Sequence, residues 1–236
     1  MLGSISTVTG NDRCRPGLLS RAPSGPVRSV VLVAHGGRAR SAAPDSNLRA
    51  PALRMYPFSA DLARAGRHHG LVVAQLRYRR RGYNDGDPVE DVRWALDRLS
   101  ALHGAPVCIV GHSMGARAAL RAAGHPAVTA VAALAPWLPP EEPVEQLAGR
   151  AVMIVHGLGD RVTDPLLSAA YARRAAPVAG RLCHVEIAGS GHAMLQRAAV
   201  WHRLTRQFCL ESLGAGDACH AAPAAGAAGG LRAVRL

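Results

Sequence analysis

The chain has 236 residues, 49% of them apolar, which is enough for one α/β domain with a full core and too few for two such domains. Its formal net charge of +12 rests on arginine alone, and the absence of lysine excludes Schiff-base and lysine-nucleophile chemistry. The arginines are scattered, aromatic residues make up only 4%, and no nucleic-acid-binding motif is present, so the charge reads as a compositional bias and no nucleic-acid partner is expected.

No apolar stretch approaches the roughly 18 residues of a membrane helix, so no membrane partner is expected. The first residues lack the basic start and apolar block of a secretory signal, which makes a cytoplasmic location the expectation. Five cysteines (Cys14, Cys108, Cys183, Cys209 and Cys219) show no paired spacing, so neither a disulfide framework nor a zinc site is expected. Cys108 and Cys183 lie in apolar runs and read as small core residues.

Residues 1–26 are rich in Gly, Ser, Pro and Arg without periodicity and read as a flexible arm. Residues 27–213 form the body. Short apolar runs alternate there with helical patterns. "VRSVVLVAHGG" is a strand ending on a glycine pair. "FSADLARAGRHHG" is a helix with Ser59 as N-cap and Gly70 as its stop. "LVVAQLRY" is a strand, and "DPVEDVRWALDRLSALHG" a helix capped by Asp87 and closed by Gly104. "APVCIVGHS" is a strand and "MGARAALRAAG" a helix. "AVTAVAALAPW" and "RAVMIVHG" are strands, "DPLLSAAYARRAA" is a helix, and "RLCHVEIAG" is a strand. The last helix is "HAMLQRAAVWHRLTRQFCLESL". Residues 214–236 are Ala/Gly low complexity and read as a disordered tail. About six strands alternating with helices, several apolar on both faces, predict an α/β class fold with a doubly wound, mostly parallel sheet.

In such a sheet the functional groups lie beyond the C-terminal ends of the strands. Three chemistry-bearing residues fall there, in the order Ser113, Asp160, His192. Gly-x-Ser-x-Gly alone is a weak signal, but "GHSMG" stands between a strand and a helix. A turn tight enough to expose Ser113 leaves no room for side chains at 111 and 115, and both are glycine. The helix starting at Met114 directs free N–H groups towards the serine, so the Met114 N–H is one expected oxyanion donor. Gly37, after the first strand, is the other, with Arg38 as its alternative. His192 is the expected base, because it sits in a loop after a strand and is flanked by Gly189 and Gly191. His35, His112, His184 and His202 read as structural. Asp160 is the expected acid, and Asp164, which precedes Pro165, reads as a helix N-cap.

These four segments, "VAHGG", "GHSMG", "HGLGD" and "GSGHAM", resemble in type and order the α/β-hydrolase superfamily. The resemblance covers most of the body. It implies Ser113 as nucleophile, Asp160 as acid, His192 as base, and Gly37 with Met114 as the oxyanion hole, with no metal and no cofactor. Two departures stand out. The family usually begins with extra antiparallel strands, which residues 1–26 do not clearly supply. Only "PWLPPEEPVEQLAG" separates the fourth and fifth strands where a lid is often inserted, so a minimal lid or none is expected. The expected activity is serine hydrolysis of a small-molecule carboxylic ester. A thioesterase acting on acyl-CoA or acyl-carrier thioesters is the alternative within the same chemistry, and a non-catalytic binding protein on this fold is the alternative outside it. Arg38, Arg40 and the cluster Arg77, Arg79, Arg80 and Arg81, after the first two strands, read either as a rim attracting anionic substrates or as a solvated face. Trp137, at the end of the fourth strand, reads either as pocket lining or as packing.

Overall fold

The computed structural model describes residues 5–8, 15–214 and 231–236. Its strands are β1 (Ile5–Val8), β2 (Gly17–Arg21), β3 (Ser29–Ala34), β4 (Leu71–Arg77), β5 (Val107–His112), β6 (Val128–Leu134), β7 (Ala151–Gly157), β8 (Arg181–Ile187) and β9 (Leu231–Arg235). The helices are α1 (Ala50–Gly66), α2 (Asp87–His103), α3 (Met114–Ala122), α4 (Pro165–Ala175) and α5 (Ala198–Ser212). All nine strands form one sheet in the order β1-β2-β4-β3-β5-β6-β7-β8-β9. From β4 to β9 every neighbouring pair is parallel, while β1 and β2 run antiparallel at one end. The α/β class and the mostly parallel sheet are as the alternation of segments predicts.

The central strands are buried on both faces, and each face carries its own core. One core joins Leu32, Ile109 and Val131 to α2, α3 and α4 residues such as Leu96, Leu120 and Tyr171. The other joins Val31, Val110 and Met153 to α1 and α5 through Met55, Leu62 and Trp201. Cys108 of β5 and Cys209 of α5 meet in this second layer with sulfurs 3.6 Å apart.

The sheet is larger than the six strands expected, and both termini account for the difference. Residues 17–21 are not a flexible arm: β2 pairs with β4 from Gly17 opposite Arg77 to Arg21 opposite Val73. "GLLSR" has too little apolar content to show a strand period. It buries Leu18, and main-chain hydrogen bonds to β4 hold the rest. Residues 231–235 are likewise not a disordered tail, because β9 pairs in parallel with β8 and covers its edge. The rest of the expected tail, residues 215–230, lies outside the described residues, as do Cys14 and Cys219.

Three helix boundaries also differ. Helix α1 starts at Ala50, well before Ser59, and continues through Pro57. Pro57 faces solvent, where the carbonyl left without an N–H partner is accessible to water. Ser59 is buried inside the helix, its Oγ 3.1 Å from both Met55 O and Gln75 Oε1, so its one proton serves either acceptor. Gly86, not Asp87, is the N-cap of α2, and Asp87 instead accepts from Asn84 Nδ2 (2.8 Å) and Arg80 (3.3 Å). Helix α5 starts only at Ala198, so Met194 and His192 belong to the preceding loop.

The segment between β6 and β7 does not rise over the strand ends as a lid. It folds along α3 and α4, burying Leu138, Val144 and Leu147. Its anchor is Glu142, whose side chain is 1% exposed. Glu142 accepts from Arg117 Nε (2.7 Å) and from Arg121 Nε, while its carbonyl accepts from Arg174 (2.8 Å). Removing this carboxylate strands two arginines in a partly buried site. Glu142→Ala should therefore lower the unfolding free energy by about 3 kcal/mol, read by urea denaturation, with Glu142→Gln losing less.

Candidate active site

Strand β5 passes into α3 through a single residue, Ser113, at φ 55° and ψ −117°. A Cβ on Gly111 would lie 2.5 Å from Ala116 Cα, and one on Gly115 would lie 2.5 Å from Ala34 O. Backbone stands against backbone at both positions, and only glycine permits the approach. The Ser113 N–H donates to Leu134 O (3.0 Å), which ties the turn to β6, and the Trp137 N–H donates to Ser113 O (3.3 Å).

The structure brings Ser113, His192 and Asp160 together from the ends of β5, β8 and β7. Ser113 Oγ lies 3.1 Å from His192 Nε2, and His192 Nδ1 lies 2.8 Å from Asp160 Oδ2. The His192 side chain is 15% exposed and that of Asp160 is fully buried. Asp164 lies apart as the N-cap of α4, accepting from the Leu166 N–H at 2.8 Å.

Asp160 is a heavily bonded carboxylate. Val162 N–H and Thr163 N–H donate to Oδ1 at 2.7 and 3.0 Å. Oδ2 accepts from His192, from Thr163 Oγ1 (2.8 Å) and from His156 Nε2 (3.1 Å). Burial pushes the carboxyl up, but hydrogen bonds from His156, His192, Thr163 and Val162 outweigh it and hold the group far below the usual carboxylate range. Asp160 is therefore an anion facing the ring of His192.

The loop carrying His192 is fixed from beneath. Ser190 Oγ donates to Gln196 O (3.0 Å) and accepts from Trp201 Nε1 (2.9 Å), while Met194 inserts its side chain into the core. His112, the residue before Ser113, holds the loop from the other side. Its ring Nε2 lies 3.0 Å from His192 O, and the two rings are 4.8 Å apart. Burial, with the His192 ring second, pushes His112 down to about 3, so its neutral Nε2–H donates to the carbonyl. The sequence marks His112 only as a structural residue beside Ser113. Its bond to His192 spans 80 residues of chain and carries no local signal.

Gly37 lies against Met114: a Cβ at Gly37 would meet Met114 Cε and Arg81 O at 2.5 and 2.6 Å. The Arg38 N–H is already taken by Arg81 O (2.8 Å), whereas those of Gly37 and Met114 have no acceptor among the described residues. His35 is buried beside this turn, 2.9 Å from Asp45, and His184 and His202 lie on β8 and α5 away from Ser113.

Three of the 77–81 arginines are bonded within the fold. Arg79 is paired with buried Asp91 (2.6 Å), Arg80 with Asp87 (3.3 Å), and Arg81 donates to Pro44 O (2.8 Å). Trp137 is half-buried beside the turn, edge-on to Tyr83, with the Arg117 guanidinium over both rings. Among the described residues no cluster of His, Cys, Asp and Glu is arranged to hold a metal ion.

His112 makes acid stability a test of this packing. A buried ring whose pKa falls on folding stabilises the fold fully above about pH 6.5 and loses that contribution as the pH drops. Between about pH 6.5 and pH 5 the wild type should lose about 2 kcal/mol on this account. In His112→Asn the decline in thermal midpoint over this range should be shallower than in the wild type.

Compared with proteins of known sequence, residues 30–153 match the Alpha/beta hydrolase family, a span of just over half the chain. No curated protein matches the chain. Among solved structures, an alpha-beta serine hydrolase homologue from Coxiella burnetii is similar at 18% identity and a TM-score of 0.64, covering 88% of this chain and 97% of its own. XC6422 from Xanthomonas campestris, described as a serine hydrolase without lid, is similar at 16% identity and a TM-score of 0.65, covering 92% and 98%. Est1E from Butyrivibrio proteoclasticus, at 12% identity and a TM-score of 0.65, covers 90% and 100%. At these identities the solved structures speak for the fold. With its sheet, its elbow at Ser113 and this match in hand, the chain belongs to the alpha/beta hydrolase family.

Proposed function

We propose that this protein is a serine hydrolase that cleaves carboxylic esters of small molecules through an acyl-enzyme. The observation that carries the reading is the unbroken chain from Ser113 Oγ through His192 to Asp160, with links of 3.1 and 2.8 Å. In the resting state the Ser113 hydroxyl donates to neutral His192 Nε2, and Nδ1–H donates to Asp160. Ser113 Oγ attacks the ester carbonyl carbon as its proton passes to Nε2. The buried Asp160 anion stabilises the imidazolium so formed. The N–H groups of Gly37 and Met114 receive the oxyanion, and the N-terminus of α3 adds its dipole. Nε2–H then protonates the departing alkoxide. Water, deprotonated by the same nitrogen, releases the acid.

An acyl thioester would use the same groups, and paired assays separate the two readings. Rates on p-nitrophenyl esters of increasing chain length exceeding those on the matching acyl-CoA thioesters support the esterase. The reverse order supports the thioesterase.

A fluorophosphonate probe should label the wild type and not Ser113→Ala, and hydrolysis should fall at least about 10⁴-fold in Ser113→Ala and His192→Ala. Wild-type protein that resists the probe while a reference serine hydrolase reacts would leave a non-catalytic binding role. Gly37→Ala should displace its own N–H through collision with Met114 and Arg81. That variant should lose about 10²-fold in kcat with little change in KM.

A further inference from the structure

Asp160 Oδ2 is overcrowded. A carboxylate oxygen offers two lone-pair directions, yet three donors converge on this one: His192 Nδ1 at 2.8 Å, Thr163 Oγ1 at 2.8 Å and His156 Nε2 at 3.1 Å. The other oxygen is left to two backbone N–H groups. A second histidine therefore draws on the same oxygen as the base.

His156 is the penultimate residue of β7, completely buried, and its tautomer is set by its two neighbours. Nε2 faces an acceptor-only carboxylate and must carry the proton. Nδ1 lies 2.7 Å from Ser168 Oγ on α4, so in the neutral ring it accepts from that hydroxyl. A directed chain results: Ser168 O–H to His156 Nδ1, then His156 Nε2–H to Asp160 Oδ2, with His192 Nδ1–H approaching from the far side. Thr163 Oγ1 bridges the two rings, 3.3 Å from His156 Nε2 and 3.1 Å from His192 Nδ1.

The other ionisable groups around His156 are few. On β8 its register partner is Glu186, which pairs with Arg235 at 3.0 Å, and His184 lies two residues earlier on the same strand. His184 is itself pushed below the usual histidine range, by burial first. No other carboxylate among the described residues is paired with His156.

We propose that His156 is a positioning residue that acts through Asp160: fixed as the Nε2–H tautomer by Ser168, it draws on the carboxylate oxygen used by His192 and so lowers the proton affinity of the base. The proposal rests on His192 being that base. Its physical content is competition. Each donor on Oδ2 disperses negative charge that would otherwise stabilise the His192 imidazolium. With His156 in place, Asp160 stays ionised and oriented while His192 releases its proton more readily in each half-reaction.

The test is an NMR titration of the His192 ring in the wild type and in His156→Leu, His156→Gln and Ser168→Ala. This readout needs no turnover, so it stands apart from the fluorophosphonate test of the triad. His156→Leu removes the competing donor, and the His192 midpoint should rise by about 0.5–1 pH unit. The acid limb of kcat/KM should rise with it and KM should stay unchanged. His156→Gln keeps an N–H near the same place and should hold the midpoint near that of the wild type. Ser168→Ala frees the tautomer and should raise the midpoint by a smaller amount. Equal midpoints in the Leu, Gln and wild-type proteins overturn the proposal, as does a Gln variant that shifts as far as Leu. Should His156→Leu fail to fold, an unchanged midpoint in Ser168→Ala overturns it as well.

Discussion

Ser113 occupies a backbone conformation that an L-residue adopts at a cost of about 1–3 kcal/mol, and the site is built around the approach that enforces it. Strand β5 and helix α3 meet with no room for a Cβ at 111 or 115, and the carbonyls of β3 press against the first turn of α3. This contact sets the Ser113 hydroxyl at the C-terminal edge of the sheet and leaves the Met114 N–H free of an intrahelical acceptor. It also brings the turn after β3, with Gly37, against Met114. One steric constraint therefore sets the proposed nucleophile and both proposed oxyanion donors.

The acid side works by the opposite means. Nothing at Asp160 is strained; it is held by an excess of donors. Two backbone N–H groups fix one oxygen, and three side chains share the other. Five bonds keep a fully buried carboxylate ionised, which an apolar environment alone would not do. Between the strained serine and the over-bonded acid, His192 sits in a loop with little secondary structure of its own. The Ser190–Trp201 bond, the buried Met194 and the His112 bond to its carbonyl supply the rigidity.

The interior of the fold was legible because buried parallel strands and amphipathic helices write their burial into local composition. "VVLVA", "VCIV" and "VMIV" are apolar wherever they occur, since both faces of each strand meet a helix layer. The periphery was not legible for the converse reason. Strands β2 and β9 are held mainly by main-chain bonds to a neighbour, and such bonds leave no trace in side-chain pattern. Ser59 misled as an N-cap because a serine hydroxyl can equally bond back to a carbonyl within a helix, as Ser59 does to Met55 O, and the chain alone does not show which.

At the site, the sequence by itself determined the types and order of the groups: a serine between glycines after one strand, an aspartate after another, a histidine after a third. It did so because an elbow requires glycines at fixed spacing and because a parallel sheet collects the ends of its strands at one edge. Only the tertiary structure decided how those groups are bonded. It engaged the Arg38 N–H with Arg81 O, it tied Arg79 and Arg80 to Asp91 and Asp87, and it placed His156, Thr163 and His112 around Asp160 and His192. Hydrogen bonds between residues far apart in the chain depend on angle and distance to within a few tenths of an ångström, and no spacing in one dimension encodes that.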